Sequence, residues 1–369
     1  MNFDIAIIGG GNAGLSLARN LFRDQTKKKI IVIEPELPEK KAANWCTWMH
    51  KDNVSIFKNS IKGSWQDWIV SNKAKKINHS SSYYKYVCID ASKYLTQIEN
   101  ELNNSNIHIL RDEVVEISKE SSKKEIICKN NTVFVNHIYD SRPPELHTGL
   151  LRQHFYGIEF ELTEPHHIDS VILMDFDVDQ FNGLHFIYAL PFSERRLFVE
   201  STVISKELNQ IEWYENQIKL WMKNKNLDYL KKISSEKGVI PQGKIEYKNE
   251  GIHCIGARGG AVRLSSGYAF HNIQSQVGKL ANNIRNDCYD VPVAMNKFVT
   301  FMDEIFNKVL INNPEIAVDL FLNTTKSLSA DEFARFMTNK TSFNIWSKVI
   351  SQMPKKPFIE QMLKSYKRG

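Results

Sequence analysis

The hexapeptide Gly9-Gly10-Gly11-Asn12-Ala13-Gly14 satisfies the pattern G-x-G-x-x-G, and an acid, Glu34, follows 20 residues after Gly14. Gly9 permits a tight turn. Gly11 lets a pyrophosphate approach the backbone at a helix N-terminus, where unsatisfied N–H groups and the helix dipole favour negative charge. Gly14 lets helix and sheet approach closely, and Glu34 is placed to accept ribose hydroxyls. The pattern predicts a dinucleotide against Gly9, Gly11, Ala13, Gly14 and Glu34. A glycine turn without a ligand is the alternative. A second glycine-rich strand-to-helix junction, Ile255-Gly256-Ala257-Arg258-Gly259-Gly260, runs on to Ser265-Ser266-Gly267-Tyr268. Such a late junction is what a flavoprotein uses to approach the pyrophosphate and ring. It favours FAD over NAD, with Gly256, Gly259 and Gly267 as further contacts.

A different chemistry is available at Glu200. Alternation along a strand puts Phe198, Glu200, Thr202 and Ile204 on one face. A carboxyl among apolar neighbours is desolvated, so its pKa rises and it holds a proton near neutrality, as a general acid must. The alternatives are a carboxylate facing water or one paired with Arg195 or Arg196. Asp175 ends the apolar run Ile172-Leu173-Met174 and reads equally as a catalytic residue or a strand-end turn acid. Arg142 either positions a flavin or substrate or caps the turn before Pro143. Trp45 and Trp48 either line an apolar tunnel or are ordinary packing. His166-His167, adjacent on an expected strand, point opposite ways and make no metal site. No H-E-x-x-H, G-x-S-x-G or P-loop is present.

The elements that must position these groups follow from periodicity. Phe3–Ile8 and Ile30–Ile33 read as buried strands flanking a helix through Leu17 and Leu21. Residues 45–86 read as loops and short elements. A helix through Leu95, Ile98 and Leu102 precedes strands near 107–110, 113–117, 125–128 and 133–139. Four runs, 155–162, 171–176, 184–191 and 197–205, read as an antiparallel sheet, followed by a helix around Trp213–Trp221. The expected architecture is α/β: a Rossmann-type FAD-binding domain (1–150 and 250–290), an inserted antiparallel-sheet substrate domain (151–249) and a helical C-terminal segment (291–369).

Composition narrows the class. The chain has 369 residues, 42% hydrophobic and 24% charged, as folded soluble proteins do. No apolar stretch is long enough to span a bilayer, and no signal peptide is read at the N-terminus. Five scattered cysteines, never C-x-x-C, point to a reducing, cytoplasmic setting without disulfides or zinc. A net charge of +6 without an arginine-rich stripe makes nucleic acid a poor partner. The basic end, Lys355-Lys356 and Lys364 to Arg368, is either a solvated tail or an attraction to an anionic membrane.

The order of Gly9–Gly14, Asp140-Ser141-Arg142, Gly157-Ile158-Glu159, Leu173-Met174-Asp175, Tyr188-Ala189-Leu190-Pro191, Phe198-Val199-Glu200-Ser201-Thr202, Gly238-Val239-Ile240-Pro241 and Gly256–Gly267 with Tyr268 resembles the lycopene cyclase family, over most of residues 1–285. The resemblance implies a para-hydroxybenzoate-hydroxylase-like fold. It also implies FAD used in reduced form, with NAD(P)H as an external reductant, and no net redox change. The implied substrate is a lycopene-like polyene taken from a membrane, at the inner face of which the protein would sit peripherally. Asp140 and Arg142 join the cofactor-contacting residues. Glu200 matches the first acid of the family's strand motif; Ser201 stands in place of the second. Gly256-Ala257 stands where related flavoproteins often carry Gly-Asp.

The resulting expectation is a carotenoid cyclase in which Glu200, or alternatively the reduced flavin, gives a proton to a terminal alkene and an internal double bond closes a ring on the cation. The rival is a flavin-dependent monooxygenase or halogenase; Trp45-Cys46-Thr47-Trp48 lacks the W-x-W-x-I-P spacing of halogenases. A non-catalytic flavin or isoprenoid carrier is a third class.

Overall fold

The computed structural model describes residues 1–103, 105–118, 123–147, 149–245 and 251–366. The continuous apolar run Asn2–Ile8 forms the middle strand of a sheet. Ile30–Ile33 and Thr132–Asp140 flank it in parallel; Ile107–Leu110 and Ile252–Cys254 extend the parallel part on either side. Lys124–Cys128 and Val114–Ser118 complete it as an antiparallel meander. Strands covered on both faces carry no polar alternation, and Ile5, Ala6, Ile7 and Ile8 are all buried. Helices Asn12–Arg23, Ala91–Leu102 and Phe270–Arg285 share one core with Ile5, Ile7, Ile30 and Val32. The return of the chain at Ile252 makes this layer discontinuous in sequence.

The second sheet runs in the order Tyr229–Pro241, Arg152–Leu162, Arg196–Ser205, Leu184–Ser193, Val171–Asp175, Asp67–Ser71, Lys76–Ser80. All neighbours are antiparallel except the pair Val171–Asp175 with Asp67–Ser71. Its two faces belong to different cores. Leu197 and Val199 pack with Ile218 and Trp221 of the helix Ile211–Asn224. Phe198 and Ile204 point the other way, toward Trp48, Tyr86 and the C-terminal helices. A smaller sheet, Asn44–His50, Tyr84–Asp90 and Ile61–Trp65, lies on that side. Helices Lys297–Asn312, Ala317–Ser327, Ala330–Met337, Phe343–Gln352 and Lys355–Tyr366 close it. Among the described residues no helix is long and apolar enough to cross a membrane.

The structure departs from the sequence reading in three places. Residues 45–86, expected as loops and short elements, are largely strands. Two of these, Asp67–Ser71 and Lys76–Ser80, leave the nucleotide layer to extend the second sheet. Tyr229–Pro241 is an unanticipated strand on the sheet's edge, lysine-rich and mostly exposed, where one missing neighbour removes the need for apolar alternation. His166 and His167 lie in a connection between strands, His167 with φ +52°. The expected boundary at 249–250 and the residues Lys367 and Arg368 of the basic end lie outside the described residues.

Trp68 ties the added strand to the rest. It is fully buried, its indole N–H donates to Nδ1 of His79 at 3.1 Å, and its ring meets Trp48 edge-on at 5.8 Å. Trp68→Ala is expected to lower unfolding stability by about 3–5 kcal/mol, measured by equilibrium denaturation.

Candidate active site

The first glycine turn is shaped by contacts that leave no room for side chains. A Cβ on Gly14 would lie 1.9 Å from the carbonyl oxygen of Gly9, so helix Asn12–Arg23 meets the turn backbone to backbone. Around Gly11 a Cβ would meet nothing within 4 Å. The helix behind it has no acidic residue in its first turn and no side-chain cap, so its first N–H groups face open space. Glu34 accepts the N–H of Gly10 at 2.5 Å and that of Glu36 at 3.0 Å, and pairs with Lys41 at 2.5 Å. Burial alone would raise this carboxyl, but Lys41 and the two N–H donors outweigh it and hold it below the ordinary value. A charged acceptor therefore stands at the strand end beside the turn.

The late junction comes to the same place. Gly256 has φ +67°, and a Cβ there would lie 2.6 Å from that of Ala13. The structure thus brings together Gly9, Gly11, Ala13, Gly14, Glu34 and Gly256. Gly259 packs on the carbonyl of Cys254, and Gly267 reaches across to Gln153 and Ile240 of the second sheet. Asp140 is buried at a neighbouring strand end, gripped by the Arg142 guanidinium at 2.8–3.2 Å and approached by Arg258 at 3.4 Å. Ser141 donates to the carbonyls of Ile8 and Gly9. Asp140 and Arg142 therefore brace the turn through each other. Open space at Gly11, uncapped helix N–H groups and a carboxylate at the neighbouring strand end fit the ADP half of a dinucleotide.

Glu200 is 8% exposed and shares its sheet face with buried Phe198, Thr202 and Ile204. The Thr202 hydroxyl donates to Oε1 of Glu200 at 2.5 Å. The strand register puts Tyr188, Glu200, Gly157 and Glu236 on one rung across four strands. Residues facing each other in register point to the same side of a sheet, and the Phe198 ring lies over Gly157, in the space its missing side chain leaves between the two acids. A Cβ at Gly157 would strike Phe198 at 2.3 Å. Burial, then the nearby charge of Glu236, pushes Glu200 up to about 8, against the opposing Thr202 bond. Burial also pushes Glu236 up to about 7, although it accepts the N–H of Asn44 at 2.8 Å. Neither arginine weighed as a partner reaches Glu200: Arg195 lies near Glu164, and Arg196 pairs with Glu159.

Next to this rung stands an aromatic group. Tyr86 shares hydrogen bonds with the hydroxyls of Tyr188 and Tyr268, each at 2.9 Å. Trp48 packs on Tyr86 and Tyr268 at 4.6 and 5.1 Å between centroids, so it is both packing and wall. Trp48 and Tyr268 also line a cavity of about 450 Å³ running out among the C-terminal helices. Its walls are apolar, including Leu173, Met174, Phe306, Phe333 and Met353, with Ser265, Ser266 and Asp303 as a polar spot. At its outer end lie Phe301, Ile359 and Met362, all exposed, beside Lys355. Glu200 is not itself on the cavity wall; Tyr268, which feels the Glu200 charge, stands between them.

Asp175 is not brought to this site. Its carboxylate turns to the opposite face, where the Trp221 indole donates to it at 2.9 Å and Lys225 lies at 3.5 Å. Ser201 likewise points away from Glu200 and bonds His185 at 2.9 Å. Sequence reasoning missed Glu236, Tyr188 and Tyr86. Glu236 lies two residues before the Gly238-Val239-Ile240-Pro241 match, and only the register past Gly157 relates it to Glu200.

Residues 4–360 match the family model described as "Lycopene cyclase protein". Lycopene beta-cyclase of Pantoea ananas is 25% identical over 283 residues, covering 73% of this chain and 71% of that one. The lycopene beta cyclase of Capsicum annuum is 23% identical, covering 76% and 60%. Neoxanthin synthase of Solanum tuberosum is 21% identical, covering 72% and 57%. The chain thus spans less than two thirds of these plant relatives. Among solved structures, a geranylgeranyl bacteriochlorophyll reductase-like protein from Thermoplasma acidophilum superposes with a TM-score of 0.65 at 14% identity, covering 97% and 98% of the chains. The flavin-dependent brominase Bmp2 gives 0.61 at 12% identity, with both chains fully covered. These likenesses carry the α/β fold.

The raised carboxyls set a pH dependence of stability. An acid whose folded pKa exceeds its unfolded value holds an extra proton when folded, so stability falls as pH rises through that interval. The slope contributed by Glu200 reaches roughly 1.4 kcal/mol per pH unit near pH 6 and falls to about half of that near pH 8. Glu200→Gln is expected to flatten the curve and gain on the native protein as pH rises toward 8, read from denaturation midpoints across that range.

Proposed function

We propose that this chain, which belongs to the lycopene cyclase family, closes the end group of a linear, lycopene-like polyene by alkene protonation, with no net redox change. The observation that carries the reading is Glu200: a carboxyl pushed up to about 8 by burial, behind Tyr268 of the aromatic group that lines an apolar cavity. Such a group is protonated at neutral pH and can act as general acid in a dry site.

The cavity walls hold a hydrocarbon by burial alone, since they offer it almost nothing polar. The polyene end reaches the acid past Trp48 and Tyr268. Glu200 gives its proton to the terminal alkene, and the tertiary cation is attacked by an internal double bond to form a six-membered ring. The faces of Trp48, Tyr86 and Tyr268 stabilise the cation by cation–π attraction. Exclusion of water prevents its capture as an alcohol.

Gly9, Gly11, Ala13, Gly14 and Glu34 would hold the ADP half of FAD, with Gly256, Gly259 and Gly267 lining the approach to its ring and Asp140 and Arg142 bracing the first turn. FAD held there in reduced form, with NAD(P)H as the external reductant, would supply an electron-rich ring able to stabilise positive charge electrostatically. The exposed apolar rim at Phe301, Ile359 and Met362 beside Lys355 suits peripheral contact with an anionic membrane surface, from which the polyene would enter.

The decisive assay is anaerobic incubation with reduced FAD and lycopene-containing liposomes, followed by product chromatography. The native protein is expected to form cyclic product, whereas Glu200→Gln folds and binds FAD but forms none. Cyclisation by that variant at the native rate rejects the assigned role, and stoichiometric oxygen consumption with an oxygenated or halogenated product favours the rival class. In liposome flotation at low salt, the native protein is expected to rise with anionic vesicles and the Phe301→Asp/Ile359→Asp double variant to bind severalfold less. A native protein that stays at the bottom overturns the membrane contact.

A further inference from the structure

The second buried acid on the rung has no part in the reaction drawn so far. Glu236 and Glu200 both pair with Gly157, one from each side, so their Cα atoms lie about 10 Å apart across two strand spacings. Their side chains rise on the same face, with the Phe198 ring lying over Gly157 between their strands. Among the described residues each carboxyl is met by neutral donors from one residue: the Thr202 hydroxyl for Glu200, and the backbone N–H and side chain of Asn44 for Glu236.

We propose that Glu236 is the proton-relay partner of Glu200, taking up the proton that ring closure releases and returning it to Glu200. The inference rests on the cyclase reading. In the first half of the cycle the O–H bond of Glu200 breaks and a C–H bond forms at the terminal alkene carbon. The internal double bond then closes the ring and leaves a cation. A C–H bond next to that cation breaks, its electron pair becomes the ring double bond, and its proton goes to the Glu236 carboxylate. Return of that proton from Glu236 to Glu200, past the edge of the Phe198 ring, restores Glu200–COOH and Glu236–COO⁻. One proton is given and one recovered, and nothing is oxidised or reduced.

The surroundings suit a pair that carries one proton. Glu236 faces Lys62, which also pairs with Glu159 at 2.6 Å, and the Cys88 thiol feels the Glu236 charge. Glu200 faces Glu236 and Tyr268, with Tyr188 next on its rung. Lys62 favours the anion at Glu236, whereas no cation is arrayed against Glu200 among its described partners. The resting proton therefore sits on Glu200. A mere strand anchor would need only an oxygen to accept the Asn44 N–H, which glutamine supplies equally.

The test separates pairing from catalysis. The buried carboxylic acid of Glu200 is followed by infrared pH titration of substrate-free protein, assigned by its absence in Glu200→Gln. Glu236→Gln is expected to lower the Glu200 midpoint by about one pH unit, because the neighbouring negative charge is gone. The same variant is expected to cyclise at least tenfold more slowly, with the alkaline limb of its pH–rate profile moved in the same direction. Glu236→Asp, which keeps a titrating partner, restores part of the rate. An unmoved Glu200 midpoint in Glu236→Gln overturns the pair, and a moved midpoint with native turnover overturns the relay. If the native protein cyclises nothing, the cyclase reading and the relay built on it both fall, while the titration still decides whether the two acids are coupled.

Discussion

The central constraint in this molecule is the withdrawal of one carboxyl from water. Nothing about the Glu200 side chain distinguishes it from other glutamates; its position on a strand covered on both faces does. One face of that strand is closed by helix Ile211–Asn224 and the other by the aromatic group at Trp48, Tyr86 and Tyr268. Burial disfavours the charged form, so the architecture decides the protonation state. The cost of holding such a group appears as a stability that declines toward alkaline pH, a penalty a protein tolerates where the proton is wanted.

Much of this was legible in the residues. The run Asn2–Ile8, the glycine turn and Glu34 form a local unit whose spacing reflects its geometry, and the structure builds it as expected. Strict alternation in Phe198-Val199-Glu200-Ser201-Thr202 sorted the two faces correctly, because a strand covered on both sides must still send successive side chains opposite ways. Asp175 was ambiguous for a physical reason: the register with its neighbours is irregular between Ile172 and Asp175, and counting by twos fails across an irregularity. Glu236 was illegible because relating it to Glu200 requires two strand pairings, one of them on a polar edge whose sequence, Lys231-Lys232-Ile233-Ser234-Ser235-Glu236, carries no strand signal.

The solved structures that share this fold include halogenases and a monooxygenase, so the fold does not name a reaction. What distinguishes one chemistry from another is the lining of the space beside the nucleotide turn. In this chain the apolar cavity is walled by phenylalanine, methionine and tryptophan of the C-terminal helices, and Tyr268 on its wall is bonded to Tyr86, which is bonded in turn to Tyr188. Bonded to Tyr86, the Tyr268 hydroxyl is engaged within the protein, so this tyrosine presents mainly its ring to the chamber.

The parallel pair between Asp67–Ser71 and Val171–Asp175 has a kinetic consequence. Its strands are separated by roughly a hundred residues of chain. Closing so long a loop costs entropy before any contact repays it. Local hairpins such as Leu184–Ser193 with Arg196–Ser205 need no such wait. The chamber wall carrying Val70 and Leu173 is therefore expected to assemble after the acid-bearing hairpin. A newly made chain passes through a stage in which its greasiest surfaces are still bare, when it is most dependent on chaperones and most prone to aggregate.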